Sequence, residues 1–172
     1  MFREIGENKR LAIVLSNLGH VAGELHDYET SIEVSKEALA LEERLGRTPN
    51  KAITLMNLGT YAQESGDYDA ARDWLRRCLS LARELKYTEL MAYAMGVAVR
   101  LNVAEQHFER AARLAGVTDS LLEDAGVPLQ TSEEAKLEEA KAAARERLGD
   151  DAYEAAHAAG RAADALIEAS LF

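Results

Sequence analysis

The chain has 172 residues, 48% hydrophobic but only 6% aromatic, with 2 prolines, which allows a sizeable core without staples and favours helix throughout. Its formal charge of −10, from 30 acidic against 20 basic side chains, excludes a nucleic-acid surface, since phosphate binding needs a clustered basic field. A lone Cys78 excludes a disulfide framework, and with neither a long uncharged apolar run nor a basic-then-apolar leader the expected location is cytoplasmic, away from membranes.

An internal repeat with a period of 40 residues runs through the chain. Leu15-Ser16-Asn17-Leu18-Gly19 returns as Leu55-Met56-Asn57-Leu58-Gly59, and Asp27-Tyr28 returns as Asp67-Tyr68, without insertion or deletion through Leu41 and Leu45 against Leu81 and Leu85. Such a period, made of two helical patterns, marks an all-α solenoid of antiparallel helix hairpins. Shifted backwards, Arg44-Leu45-Gly46 falls on Glu4-Ile5-Gly6. Residues 1–6 therefore read as the tail of a preceding second helix, a partial unit, and the chain as the capped end of a longer array.

Lys9 to Leu25 is expected to form the first helix, with an apolar face of Leu11, Leu15, Leu18, Ala22 and Leu25. His26-Asp27 makes a turn, and Tyr28 to Leu45 forms the second helix, carrying Ile32, Val34, Leu39 and Leu41. Gly46 ends that helix and Thr48-Pro49 opens the next unit, whose helices run Pro49 to Ser65 and Tyr68 to Leu85. A worn third unit follows, with helices of roughly Thr88 to Ala104 and His107 to Asp124. There Met95 stands in the place of Leu15 and Leu55, Phe108 in that of the turn tyrosines, and Ala111 in that of Ser31 and Ala71, while Asn-Leu-Gly has become Val97-Ala98-Val99.

The units, about 9–46, 49–86 and 88–126, stop at Gly126-Val127-Pro128. Residues 127–172 are expected to be a helical cap. Thr131-Ser132-Glu133-Glu134 has the order of a capping box, a charged helix runs to about Leu148, and Gly149 stops it. Asp150-Asp151 then starts an Ala-rich helix carrying Tyr153, His157, Leu166 and Ile167.

Over Met1 to Gly126 the pattern resembles the tetratricopeptide repeat in its form of about 40 residues. Its marks are Leu18-Gly19 and Leu58-Gly59, Asp-Tyr at the hairpin turns, and small residues at Ser31, Ala38, Ala71 and Cys78. The resemblance implies a non-catalytic module that binds a protein or peptide segment and needs no cofactor. A second likeness lies in Glu109-Arg110-Ala111-Ala112-Arg113-Leu114-Ala115-Gly116, Leu121 to Leu129, Leu148-Gly149-Asp150-Asp151-Ala152-Tyr153 and Ala158-Ala159-Gly160-Arg161. These resemble the helical region of bacterial multidomain signal-transduction ATPases and LuxR-type transcriptional regulators. The implied role is the regulatory or sensor arm of a larger signalling protein, since neither a phosphate-binding loop nor a helix-turn-helix remnant is present.

Asn17 and Asn57 occupy equivalent places on successive first helices, where stacked units would align them as an amide ladder able to donate to and accept from a peptide backbone. The alternative is that each ties down its own neighbouring loop. Around them the concave surface is expected to carry Ile13, His20, Glu24, Ile53, Met56, Thr60, Glu64, Tyr93 and Arg100. Only Asn57 matches the carboxylate clamp of chaperone-binding relatives, so that specificity is not expected. The four histidines and Cys78 lack metal-ligand spacing, and Cys78, standing where Ala38 stood, reads as a small buried residue.

From Leu90 to Val103 the only charge is Arg100, so this helix has to be covered on most sides. The cap, a second subunit or a ligand could cover it, which keeps a small-molecule sensor in view. A homo-oligomer formed through the open N-terminal repeat end is a further expectation.

Overall fold

The computed structural model describes residues 2–46, 48–126 and 128–163, with side chains from Gly6 onward. Among these residues the fold is all-α: α1 (Phe2–Glu24), α2 (Tyr28–Leu45), α3 (Pro49–Glu64), α4 (Tyr68–Glu84), α5 (Thr88–Ala104), α6 (Phe108–Ala125), α7 (Thr131–Leu148) and α8 (Asp150–Arg161). They pack as sequential antiparallel pairs, the hairpin arrangement of an α-solenoid. Leu166 and Ile167 lie outside the described residues.

The 40-residue register is visible in the turns. His26, Gly66 and Gln106 occupy the same place in successive hairpins, and all three are left-handed, with φ of 62°, 86° and 64°. After each, a backbone N–H reaches back to close the helix end: Asp27 to the Ala22 carbonyl, Asp67 to Ala62 and His107 to Asn102, at 2.9, 2.9 and 2.8 Å,. Asp27 and Asp67 then cap the next helix, each Oδ1 accepting a backbone N–H, from Thr30 and Ala70, at 3.2 Å,. Between the first two hairpins, Gly46 turns with φ of 91° and Thr48 Oγ1 accepts the Lys51 N–H at 3.1 Å, one residue before Pro49 starts α3.

The chain divides after Leu85 into two compact units. The change of sequence at Gly126 is therefore one of repeat pattern, whereas in space α7 and α8 pack with α5 and α6. In the first unit, α1 pairs with α2, α3 with α4, and α2 with α3. Glycines bring the hairpin helices close: a Cβ at Gly59 would lie 2.7 Å from Leu75 Cγ, and one at Gly19 would overlap Ser35 Oγ. The repeat's small positions, Ser31, Ala38, Ala71 and Cys78, are all fully buried.

The buried face of α1 differs from its apolar face. Ala12, Ser16, Gly19, Ala22 and Gly23 are buried, whereas Leu11, Leu18 and Leu25 of the expected face are exposed and Leu15 is half-buried. Close approach to α2 selects the small residues, and the large apolar ones are left on the far side. The same exchange occurs in α2, where Ser31, Ser35, Ala38, Leu39 and Glu42 are buried and Ile32, Val34 and Leu41 are half-buried. The first helix also begins at Phe2, so residues 2–8 extend α1 instead of forming a separate segment.

In the second unit α6 and α7 both pack on α5, twelve of whose residues, from Leu90 to Asn102, are buried. That accounts for its apolar circumference. Helix α8 lies against α6 so closely that a Cβ on Gly116 would overlap the His157 carbonyl oxygen, and one on Gly160 the Arg113 carbonyl oxygen. The expected capping box is not formed: Gln130 is the cap of α7, with its carbonyl accepting the N–H groups of Glu133 and Glu134 at 2.9 Å. Glu133, beside the Glu134 of the expected box, is held by Arg100.

Candidate functional site

The candidate surface of the first unit is made by α1 and α3 side by side. Ser16 Oγ lies 2.9 Å from Thr54 Oγ1, and His20 Nδ1 lies 2.8 Å from the Tyr61 hydroxyl, which is also 3.2 Å from the His20 carbonyl and 3.5 Å from Glu24. Partners separated by 38 and 41 residues are close to one repeat apart, so the helices run parallel and nearly in register. Tyr61 is buried where Gly23 leaves room for its ring, and it stacks on Tyr28 with centroids 6.2 Å apart.

On this surface Asn17, His20 and Glu24 of α1 are exposed, Ile53, Met56, Thr60 and Glu64 of α3 are half-buried, and Asn57 is only 6% exposed. Among the described residues neither the Asn17 nor the Asn57 amide makes a hydrogen bond, so neither ties down a neighbouring loop. Thr60 Oγ1 donates to the Met56 carbonyl at 3.0 Å, leaving its lone pairs to accept. His20 and Glu24 are partly committed to Tyr61.

Just beneath this surface lies Glu42, on α2 and only 1% exposed. Neither carboxylate oxygen has a hydrogen-bond partner among the described residues. Burial pushes the carboxyl above its usual value of 4.5, a rise that nearby Thr54 and Lys51 oppose only in part,. Cys78 Sγ donates to the Ala52 carbonyl at 3.3 Å, and burial alone pushes the thiol up to about 12. It is an inert filler of the small-residue seam.

The two remaining expected residues belong to the second unit, where each contacts α7 or the segment before it. The Tyr93 hydroxyl accepts the Gln130 N–H at 3.0 Å, and Arg100 Nη1 donates to Glu133 Oε2 at 2.7 Å. Arg100 stands in the repeat place of His20, and both reach the first helix of the following pair. The shared work is to link helices. Arg100 is nine-tenths buried, with Nε and Nη2 unbonded among the described residues. Burial would raise Glu133, but Arg100 and then Lys136 outweigh it and hold the carboxyl below 4.5.

A polar cluster not anticipated from the sequence joins α6, α7 and α8. Asp119 accepts from Lys141 Nζ at 2.7 Å and pairs with His157 Nε2 at 2.9 Å; Lys141 also donates to Glu138 at 2.8 Å. Burial pulls Lys141 down, yet the hydrogen bonds and charges of Asp119 and Glu138 win and raise it above 10.5. Tyr153 stacks on His157, Arg145 lies 4.5 Å over the Tyr153 ring, and Arg145 also pairs with Glu154. They line an open cleft of about 460 Å³. The charged groups satisfy one another, so the cluster acts as a lock on α7 and α8. Its partners stand 22 and 38 residues apart, beyond any local motif, which is why His157 looks isolated in the sequence.

Among the described residues no three of His, Cys, Asp and Glu converge as a metal would require, and no helix is long and apolar enough to cross a membrane. No curated protein and no solved structure matches the chain. Residues 10–84, which run from early in α1 to the last residue of α4, match the tetratricopeptide repeat family.

Proposed function

We propose that the chain is a non-catalytic module that binds a protein or peptide segment along the α1 and α3 surface of its first unit. Asn17 and Asn57 hold the segment's main chain, Ile53 and Met56 pack its side chains, and His20, Glu24, Thr60 and Glu64 set the polar rim. The observation that carries this reading is the pair of amides at equivalent repeat positions, neither hydrogen-bonded among the described residues. Each can donate and accept at once, which is what an extended backbone asks of a side chain. The match of residues 10–84 to tetratricopeptide repeats supports it, since such repeats generally bind proteins or peptides. Tyr93 and Arg100 serve α7 in this reading and are not part of the surface. That the module is the regulatory or sensor arm of a larger bacterial signalling protein rests only on the sequence resemblance of residues 109–161.

The test is selection of displayed random peptides on the wild-type chain, followed by their titration onto Asn17→Ala/Asn57→Ala. Affinity should fall about tenfold, the loss of one to two hydrogen bonds, with helicity by circular dichroism unchanged. Equal affinity for both chains would remove the amides from the mechanism.

A further inference from the structure

On α1, Leu11, Val14, Leu18 and Val21, and just past its end Leu25, are 46, 60, 50, 53 and 74% exposed, and their steps of three and four residues make one straight stripe. It lies about 150° round the helix from the buried row of Ala12, Ser16, Gly19 and Gly23. The corresponding row on α3 does stack on the hairpin before it: Thr54 meets Ser16, Tyr61 sits over Gly23, and Leu58 is fully buried. That row reads Lys51, Thr54, Leu58, Tyr61, Ser65. The stacking row of α3 is thus mixed, whereas the α1 stripe is Leu and Val at every place, the composition of a two-helix seam.

We propose that the stripe is the interface for a second copy of this chain, with the two α1 helices pairing antiparallel about a two-fold axis level with Asn17 and Leu18. The direction follows from the flanks. Arg10, Asn17 and Glu24 form one exposed edge of the stripe, seven residues apart. Run antiparallel, Arg10 of each copy meets Glu24 of the other, and Asn17 meets its own counterpart, an amide able to donate to and accept from itself. Run parallel, that edge opposes Leu15 and Ala22, and the charges find no partner. The order of Leu at the first and Val at the second seam position is also the reverse of what parallel two-stranded coils favour. The contact is isologous and closes at two copies. A seam of about 21 Å is short, so the dimer dissociates on dilution. It also covers Asn17, so a second copy and a bound peptide compete for α1.

Sedimentation equilibrium over a wide concentration range should show a monomer–dimer equilibrium for the full chain. Leu18→Glu, which brings two carboxylates together at the axis, should weaken it at least about 100-fold, and Glu24→Arg about tenfold. The double variant Arg10→Glu/Glu24→Arg should return to within about threefold of wild type, because each charge again meets its opposite. Circular dichroism on the variants keeps loss of fold separate from loss of pairing. Under oxidising conditions the Asn17→Cys variant should form a disulfide between its two copies, since Cys78 is buried and does not compete. A chain that stays monomeric at every concentration, a dimer indifferent to Leu18→Glu, or an Asn17→Cys dimer that does not cross-link would overturn the proposal. The first of these results would leave the peptide reading intact.

Discussion

The two units place their buried charge in opposite ways. The first is held by close contact of small residues, Gly19 against Ser35, Gly59 against Leu75, Ala38 and Cys78 fully buried, and within that seam sits a carboxyl, Glu42, without a hydrogen bond among the described residues. The second covers its apolar helix α5 with α7 and docks α8 on α6, binding them through pairs, Arg100 with Glu133 and Asp119 with Lys141 and His157, joined at the exposed surface by Arg161 with Glu123 at 2.6 Å. A buried charge with a partner and one without respond to protons with opposite sign. One repeat pattern thus yields two units with different pH responses.

The largest effect should come from breaking the second unit's pair. Arg100→Met leaves Glu133 only Lys136, at 3.2 Å, and should cost about 2 kcal/mol at neutral pH, read as faster hydrogen exchange in α5 and α7. Because the folded value of Glu133 is lowered, its contribution is present above pH 4.5 and lost as pH falls through that lowered value,. Wild type and variant should therefore converge in acid. Equal exchange at neutral pH would mean that apolar contacts alone hold α7.

A smaller effect of opposite sign is expected in the first unit. Glu42 has a raised folded value, so its contribution is greatest below 4.5 and is lost as pH rises through the raised value,. Glu42→Gln should then stabilise the first unit by about 1 kcal/mol at neutral pH, with the gain shrinking towards pH 4.5. Destabilisation at neutral pH would show that the carboxylate finds a partner in solution.

The smallest prediction removes a difference between the hairpins. His107 has φ and ψ of −89° and 61°, close to the −84° and 76° of Asp67, but provides no side-chain cap. His107→Asp should add the missing hydrogen bond to α6 and raise stability by about 0.5 kcal/mol, visible as a small upward shift in Tm. No shift would place the value of Asp27 and Asp67 elsewhere than in capping.

Much of the helical order was legible from the repeat. Tyr28–Leu45 and Thr88–Ala104 begin and end where turn chemistry and the 40-residue shift put them, and α7 ends before Gly149 as expected but is capped by Gln130 in place of Thr131. The orientation of α1 was not legible, because hydrophobic periodicity finds the largest apolar stripe and cannot say which stripe meets the hairpin partner. Gly19, Gly23 and Ser16 pack the interface yet contribute little apolar signal. Asn17 and Asn57 stand out in the sequence only because they repeat. Arg100 was read as surface because the segment that buries it, at Glu133, lies outside the repeat and has no register from which to predict the meeting.

The left-handed residues at 26, 66 and 106 have one more consequence. Only the middle one is glycine, although the conformation disfavours side chains. Histidine and glutamine are tolerated there because the helix-closing hydrogen bonds and the flanking helices define the bend. The hairpin corner is therefore a standard joint, indifferent to the residue that fills it. Genetic duplication or excision in steps of 40 residues would rejoin at an identical corner, which gives this chain a ready route to changing its length without changing its local rules.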